Sequence, residues 1–107
     1  MANDFKNEKV DLTTTSVTVL YTAPAAKTAV FKSILVSEDS GNADTITVTI
    51  TNAAAAVFSL FKVKAVAANT TIELLTQPLV VETGEIIKLT AATANRLHVV
   101  ASYMEIS

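Results

Sequence analysis

The chain has 107 residues, half of them hydrophobic but mostly Ala and Val, with no Trp and 17% charged residues, against roughly 25% in an average soluble chain. Eight basic residues against ten acidic give a net charge of −2, which offers no basic patch to a phosphate backbone and excludes nucleic acid as the expected partner. The lack of Cys excludes a disulfide framework, a thiolate metal site and a Cys nucleophile, and no apolar run approaches the ~20 residues of a membrane span.

Residues 1–9 are polar and mixed in charge, the opposite of a secretory signal. Without a signal, the product is expected to stay in the cell that makes it or to leave by a route such as lysis. The same nine residues lack alternation and are predicted to be a flexible arm ahead of a single domain spanning 10–107. Phe5 is the one ring in that arm and the candidate interface anchor, since rings bury a large area at low entropy cost.

From there on, period-two alternation dominates. Ser16 to Tyr21 and Thr28 to Val36 read as strands, joined through a turn at Pro24. Ser37 to Ala43 collects turn formers, and Asp44 to Asn52 then sets Ile46, Val48 and Ile50 against four threonines, a separation of faces that a helix cannot produce. Asn52 to Phe61 is ambiguous, because Asn caps helices and Ala favours them. The following residues show no helical stripe, so an Ala-rich loop and a strand are predicted. Thr70 to Leu75 is a further strand, Pro78 to Val81 and Glu85 to Thr90 are predicted to form a hairpin about Gly84, and Arg96 to Ile106 is the last strand. Seven or eight short strands with turn signals every 8–12 residues predict an all-β, antiparallel β-sandwich of jelly-roll type.

Chemistry has little to build on. His98 is the only histidine and lies mid-strand, in phase with Arg96, Val100, Ser102 and Met104. A general base needs a nucleophile and an orienting acid within hydrogen-bond reach, and no such set is evident, so no catalytic residue is expected. Glu38, Asp39, Ser40, Asn42 and Asp44 offer oxygen ligands around Gly41 of the kind calcium takes, Asp39, Asn42 and Asp44 foremost. Their spacing is not that of an EF-hand and the same residues make ordinary turns. They stand as the candidate metal ligands of a chain in which no metal or cofactor is expected. The six rings, Phe5, Tyr21, Phe31, Phe58, Phe61 and Tyr103, are mostly in alternating strands and predicted to fill the core. A mean hydropathy of +0.45 has two explanations of near-equal weight: small Ala and Val side chains that raise the value while covering little area, or lateral surfaces buried between subunits.

Three segments resemble small virion proteins of tailed bacteriophages. Leu20 to Ile34 resembles their opening "leucine-tyrosine-threonine-(small)-proline" and Lys-Thr-Ala strand, with Ala26 where a Gly is more usual. Gln77 to Leu89 resembles their proline-leucine-valine hairpin, and Leu97 to Ser107 their closing strand. The resemblance implies a non-enzymatic structural protein of the virion, assembled in the host cytoplasm: a capsid-exterior decoration or cement protein bound to the major capsid protein. A neck, tail or fibre component, or a glycan-binding sandwich, is the alternative. It also implies a homo-oligomer, a trimer foremost.

Overall fold

Alternation in the sequence becomes alternation in burial. The computed structural model describes residues 3–107, and among these nine strands form and no helix does. They are β1 (Asn3–Asp11), β2 (Thr18–Thr22), β3 (Thr28–Glu38), β4 (Asp44–Thr51), β5 (Val57–Val66), β6 (Thr71–Glu73), β7 (Leu79–Val81), β8 (Ile86–Ala91) and β9 (Leu97–Ile106). Along β4, Ile46 and Val48 are fully buried while the threonines between them stay half-exposed, the pattern of a strand with one face on a core.

The pairing is nested. β4 pairs β5; outside them β3 pairs β6 and β7, then β2 pairs β8, and β1 pairs β9, every pair antiparallel. The chain is therefore one long ribbon, and its tip is the Ala-rich segment after β4. There Asn52 closes a tight turn: its side-chain oxygen accepts from the backbone N–H of Ala54 at 3.0 Å and of Ala56 at 2.9 Å. The capping residue that suggested a helix caps a turn instead.

Bending the ribbon back on itself adds two more pairings, β3 with β9 and β4 with β8. Two sheets result, β1-β9-β3 with β6 and β7 sharing the outer edge of β3, and β2-β8-β4-β5. This is jelly-roll connectivity, a β-sandwich in which successive strands mostly alternate between sheets. Phe31, Ile34 and Val36 of one sheet face Ile46, Val48, Ile87 and Leu89 of the other, all essentially without exposure.

Two sequence expectations need correction. The segment read as a flexible arm is strand β1 from Asn3 onward, in unbroken register with β9 over nine residues. Its charged residues hide the alternation because the inward positions, Lys6 and Glu8, meet polar partners rather than a core. Met1 and Ala2 lie outside the described residues. The predicted hairpin about Gly84 is a crossover: β7 pairs β3 in one sheet, while β8 pairs β2 and β4 in the other. A short turn cannot by itself tell the two apart, and here Val81 and Ile87 are buried on facing sheets. Gly84 has the positive φ expected of it, +82°, and its N–H reaches the Ala23 carbonyl at 3.1 Å.

The departure at Ala26 has a backbone signature. This exposed alanine has φ +61°, in the left-handed region that favours Gly, at a cost of roughly 1–2 kcal/mol for an L-residue. Gly avoids that cost but loses about 0.5–1 kcal/mol in chain entropy. Ala26→Gly is therefore expected to leave stability unchanged or raise it by up to about 1 kcal/mol in urea unfolding. A loss of that size would show instead that the Ala26 methyl group packs usefully.

Candidate interaction surface

The inward face of β9 runs Leu97, Val99, Ala101, Tyr103 and then Glu105, a carboxylate in an apolar phase and only 4% exposed. Glu105 accepts a hydrogen bond from Lys6 Nζ at 2.7 Å and another from the Tyr21 hydroxyl at 2.6 Å, with Lys27 Nζ at 3.7 Å. The Lys6 bond, then the Tyr21 bond, hold its carboxyl below the usual range against the opposing effect of burial. Tyr21, Phe31 and Tyr103 cluster beneath, with ring centroids 4.7–5.1 Å apart, Phe31 stacked on Tyr103 and Tyr21 edge-on to Phe31. Tyr103 in turn donates to Glu8 at 3.3 Å, and burial, followed by the Glu8 charge, pushes its hydroxyl up to about 12. Lys6, Glu8, Tyr21, Tyr103 and Glu105 line an open cleft of about 500 Å³ between the edge strands β1 and β2. Sequence reading missed this network. Its signal was present, since Glu105 falls two residues after Tyr103 in the buried phase.

The predicted ligand cluster resolves differently. Glu38, also in a buried phase, accepts from the N–H groups of Ser40, Gly41, Asn42 and Asn69 at 3.0–3.2 Å, and from the Ser40 hydroxyl. Burial raises its carboxyl, but those donors outweigh it and hold the group at about 2. The loop is thus wrapped around a carboxylate. Asp44 is buried and accepts from Thr93 N–H at 3.1 Å, while Asp39 turns to His98. Asp39, Asn42 and Asp44 are not brought together, and no group of three metal-ligating side chains occurs among the described residues.

His98 stands on the outer face of β9 between two carboxylates, with Nε2 3.3 Å from Asp11 and Nδ1 3.3 Å from Asp39. The neutral ring has one N–H and can donate to one of them; the imidazolium donates to both. Ser102 shares its face but sits four residues on, roughly 13 Å along an extended strand, beyond any nucleophile–base contact. Phe5 is on the outer face of β1, opposite Met104, and 80% exposed. Of the other rings, Phe58 is also more than half exposed and Phe61 is half-buried, so core filling holds for Tyr21, Phe31 and Tyr103 only.

Apolar side chains are exposed along the edge strand β5, where Val57, Phe58 and Val63 are each more than half exposed, Val57 and Phe58 on opposite faces. Beside them an open groove of about 280 Å³ is lined by Leu60, Phe61, Leu74, Leu75 and Leu79. The four sheet edges differ in regularity. β2 has a register shift between Val19 and Tyr21, and β5 has two shifts and a positive φ at Val63. Between β6 and β7 the edge is interrupted, with Pro78 removing a donor. Only β1 is straight and unbroken.

The chain matches no protein-family model and no curated protein. Among solved structures it is similar to one described as "Bacillus endospore appendages form a novel family of disulfide-linked pili", with a TM-score of 0.60 over 99% of this chain and 87% of that one, at 9% identity. At that identity the likeness is one of fold, and it supports the two-sheet antiparallel architecture. The disulfide linkage named for that protein has no counterpart in a chain without Cys.

The inward carboxylates give the fold a pH signature. Glu38 and Glu105 both lie below their ordinary value when folded, so their contribution is present above that value and lost as pH falls through the folded one. For Glu38 the window runs from about 4.5 down to about 2. Glu38→Gln is expected to melt at a lower temperature than wild type at pH 7. Below pH 4.5 the two melting curves should converge. Parallel curves down to pH 2 would remove Glu38 from the acid response.

Proposed function

We propose that this chain is a non-enzymatic virion structural protein, which coats the exterior of a tailed-bacteriophage head as a decoration or cement module bound to the major capsid protein. The observation that carries the reading is the set of exposed apolar residues along the β5 edge, Val57, Phe58 and Val63. A small sandwich that leaves Val57, Phe58 and Val63 in water has surface suited to burial in an assembly. The resemblance of the Leu20, Gln77 and Leu97 segments to tailed-phage virion proteins names the assembly. The open clefts, and a His98 whose two ring nitrogens both face carboxylates while Ser37 is its cross-strand neighbour, support a role without catalysis.

In this reading the protein acts as a homo-oligomer, with a trimer the arrangement the resemblance favours. Its apolar β5 surface lies between subunits or on the capsid. Purified protein mixed with heads that lack it is expected to co-sediment, at a copy number scaling with the major capsid protein. Replacing Phe58 with Asp is expected to weaken that binding by roughly tenfold or more, as loss of a central aromatic anchor does. A copy number matching a single ring at one vertex would move the protein to the neck or tail. Binding to a glycan array with none to heads would overturn the reading.

A further inference from the structure

We propose that β1 is a self-recognition strand, joining two copies of this chain antiparallel across a two-fold axis at Asn7, so that one sheet runs on into its partner. The proposal deepens the homo-oligomer reading above by naming a surface and its occupant.

Two independent observations point to it. The first is the edge itself. A sheet edge presents a row of free N–H and C=O groups, and proteins usually blunt it with bulges, prolines or breaks. Three of the four edges here carry such devices, at Val19/Tyr21, along β5 and at the β6–β7 interruption. β1 carries no bulge, break or Pro over nine residues in continuous register, and is guarded by charge alone.

The second is the charge pattern. Reversed about Asn7, the segment Asn3–Asp11 is complementary to itself. Lys6 opposes Glu8 of the second copy and Glu8 opposes its Lys6, both on the inward face. On the outer face Phe5 opposes Lys9, whose stem and ammonium suit a ring face, and Asn7 meets Asn7. Directly opposed side chains in an antiparallel pair have Cβ atoms about 4.5–5.5 Å apart, within reach of an ion pair. Shifting the centre to Lys6 sets Lys6 against Lys6 and Asp4 against Glu8; shifting it to Glu8 sets Glu8 against Glu8. Of these registers, all of which keep outer face with outer face, only the one centred on Asn7 makes every charged pair attractive. A register centred on Phe5 also sets Asp4 against Lys6, but it pairs only residues 3–7 of the strand, whereas centring on Asn7 pairs all of Asn3–Asp11. The same inward charges that deter an apolar strand from adding here are what the reversed copy satisfies.

The exposed ring finds its reason in this contact. Phe5 is 80% exposed within its own chain, and across the two-fold it is covered by Lys9. The inward pair extends an existing network, because Lys6 already holds Glu105 and Glu8 already accepts from Tyr103. A two-fold contact through β1 and a trimer contact through the β5 surface use opposite sides of the sandwich, so the first can link trimers made by the second.

The chain has no Cys, so single cysteines report the contact cleanly. In full-length protein, Asn7→Cys sits on the axis and is expected to form an intermolecular disulfide roughly tenfold faster than Ser102→Cys, which shares the outer face but lies off the axis. Adding Glu8→Lys to the Asn7→Cys chain places Lys against Lys twice and is expected to bring the rate down to that of Ser102→Cys. Without any Cys, Glu8→Lys should raise the dimer dissociation constant in sedimentation equilibrium by roughly tenfold. Far-UV circular dichroism confirms that each variant keeps its sheet spectrum. Equal cross-linking of Asn7→Cys and Ser102→Cys, or an Asn7→Cys rate indifferent to Glu8→Lys, overturns the proposal. Head binding by the wild-type chain is a separate readout, so either reading can fail while the other stands.

Discussion

Where the last strand would carry one more apolar side chain into the core it carries Glu105, and four parts of the fold converge on that carboxylate. Lys6 reaches it from β1, Tyr21 from β2 in the opposite sheet and Lys27 from the turn before β3, while Glu105 itself belongs to β9. A carboxylate this deeply buried is tolerable only with partners that supply charge and hydrogen bonds together. The four elements are therefore obliged to keep their relative positions, and the register of β1 on β9 follows. The open side of the sandwich, between the β1 and β2 edges, is closed by this polar knot and not by hydrophobic contact. The opposite side, between β5 and the β6–β7 edge, is lined by leucines and Phe61. The two flanks of one small domain thus present different chemistry to whatever lies beside them.

Much of the sandwich could be read in advance because one face of most strands meets the same core. Ile46, Val48 and their threonine neighbours leave no other reading, and β3, β4, β8 and β9 begin and end within two residues of expectation. What escaped was of two kinds. Strands whose inward face meets polar partners lose their alternation, which is why β1 looked like a free arm. Pairing is also not a local property: nothing in Glu82–Glu85 says whether the flanking strands lie together or on opposite sheets. Glu38 and Glu105 were legible in phase, each two residues beyond a buried side chain, yet a carboxylate in such a position reads first as a strand end. The loop from Ser37 to Ala43 was correctly read as turn-rich, and its Glu38, counted there as one oxygen ligand among several, proves to be the acceptor around which the loop is wrapped. Phe5 was singled out as a ring among polar neighbours, and the structure keeps it on the surface while giving it a fixed strand to stand on.

The nested ribbon also has a consequence in time. Of the nine strands β1 is made before, and its partner β9 after, all the others, with Asn3 opposing a residue about a hundred positions later. At synthesis rates of about 5–20 residues per second, β1 waits roughly 5–20 s before β9 exists. Pairing over such separations is in any case slow, since the entropy of closing the chain is lost before contacts repay it. During that interval an apolar strand would be an exposed, sticky edge. β1 instead offers water Asn, Asp, Lys and Glu at nearly every position, and Val10 is its only half-buried apolar residue. Its poverty in hydrophobic side chains, which hid it from sequence analysis, suits a segment that stays unpaired until β9 has been made.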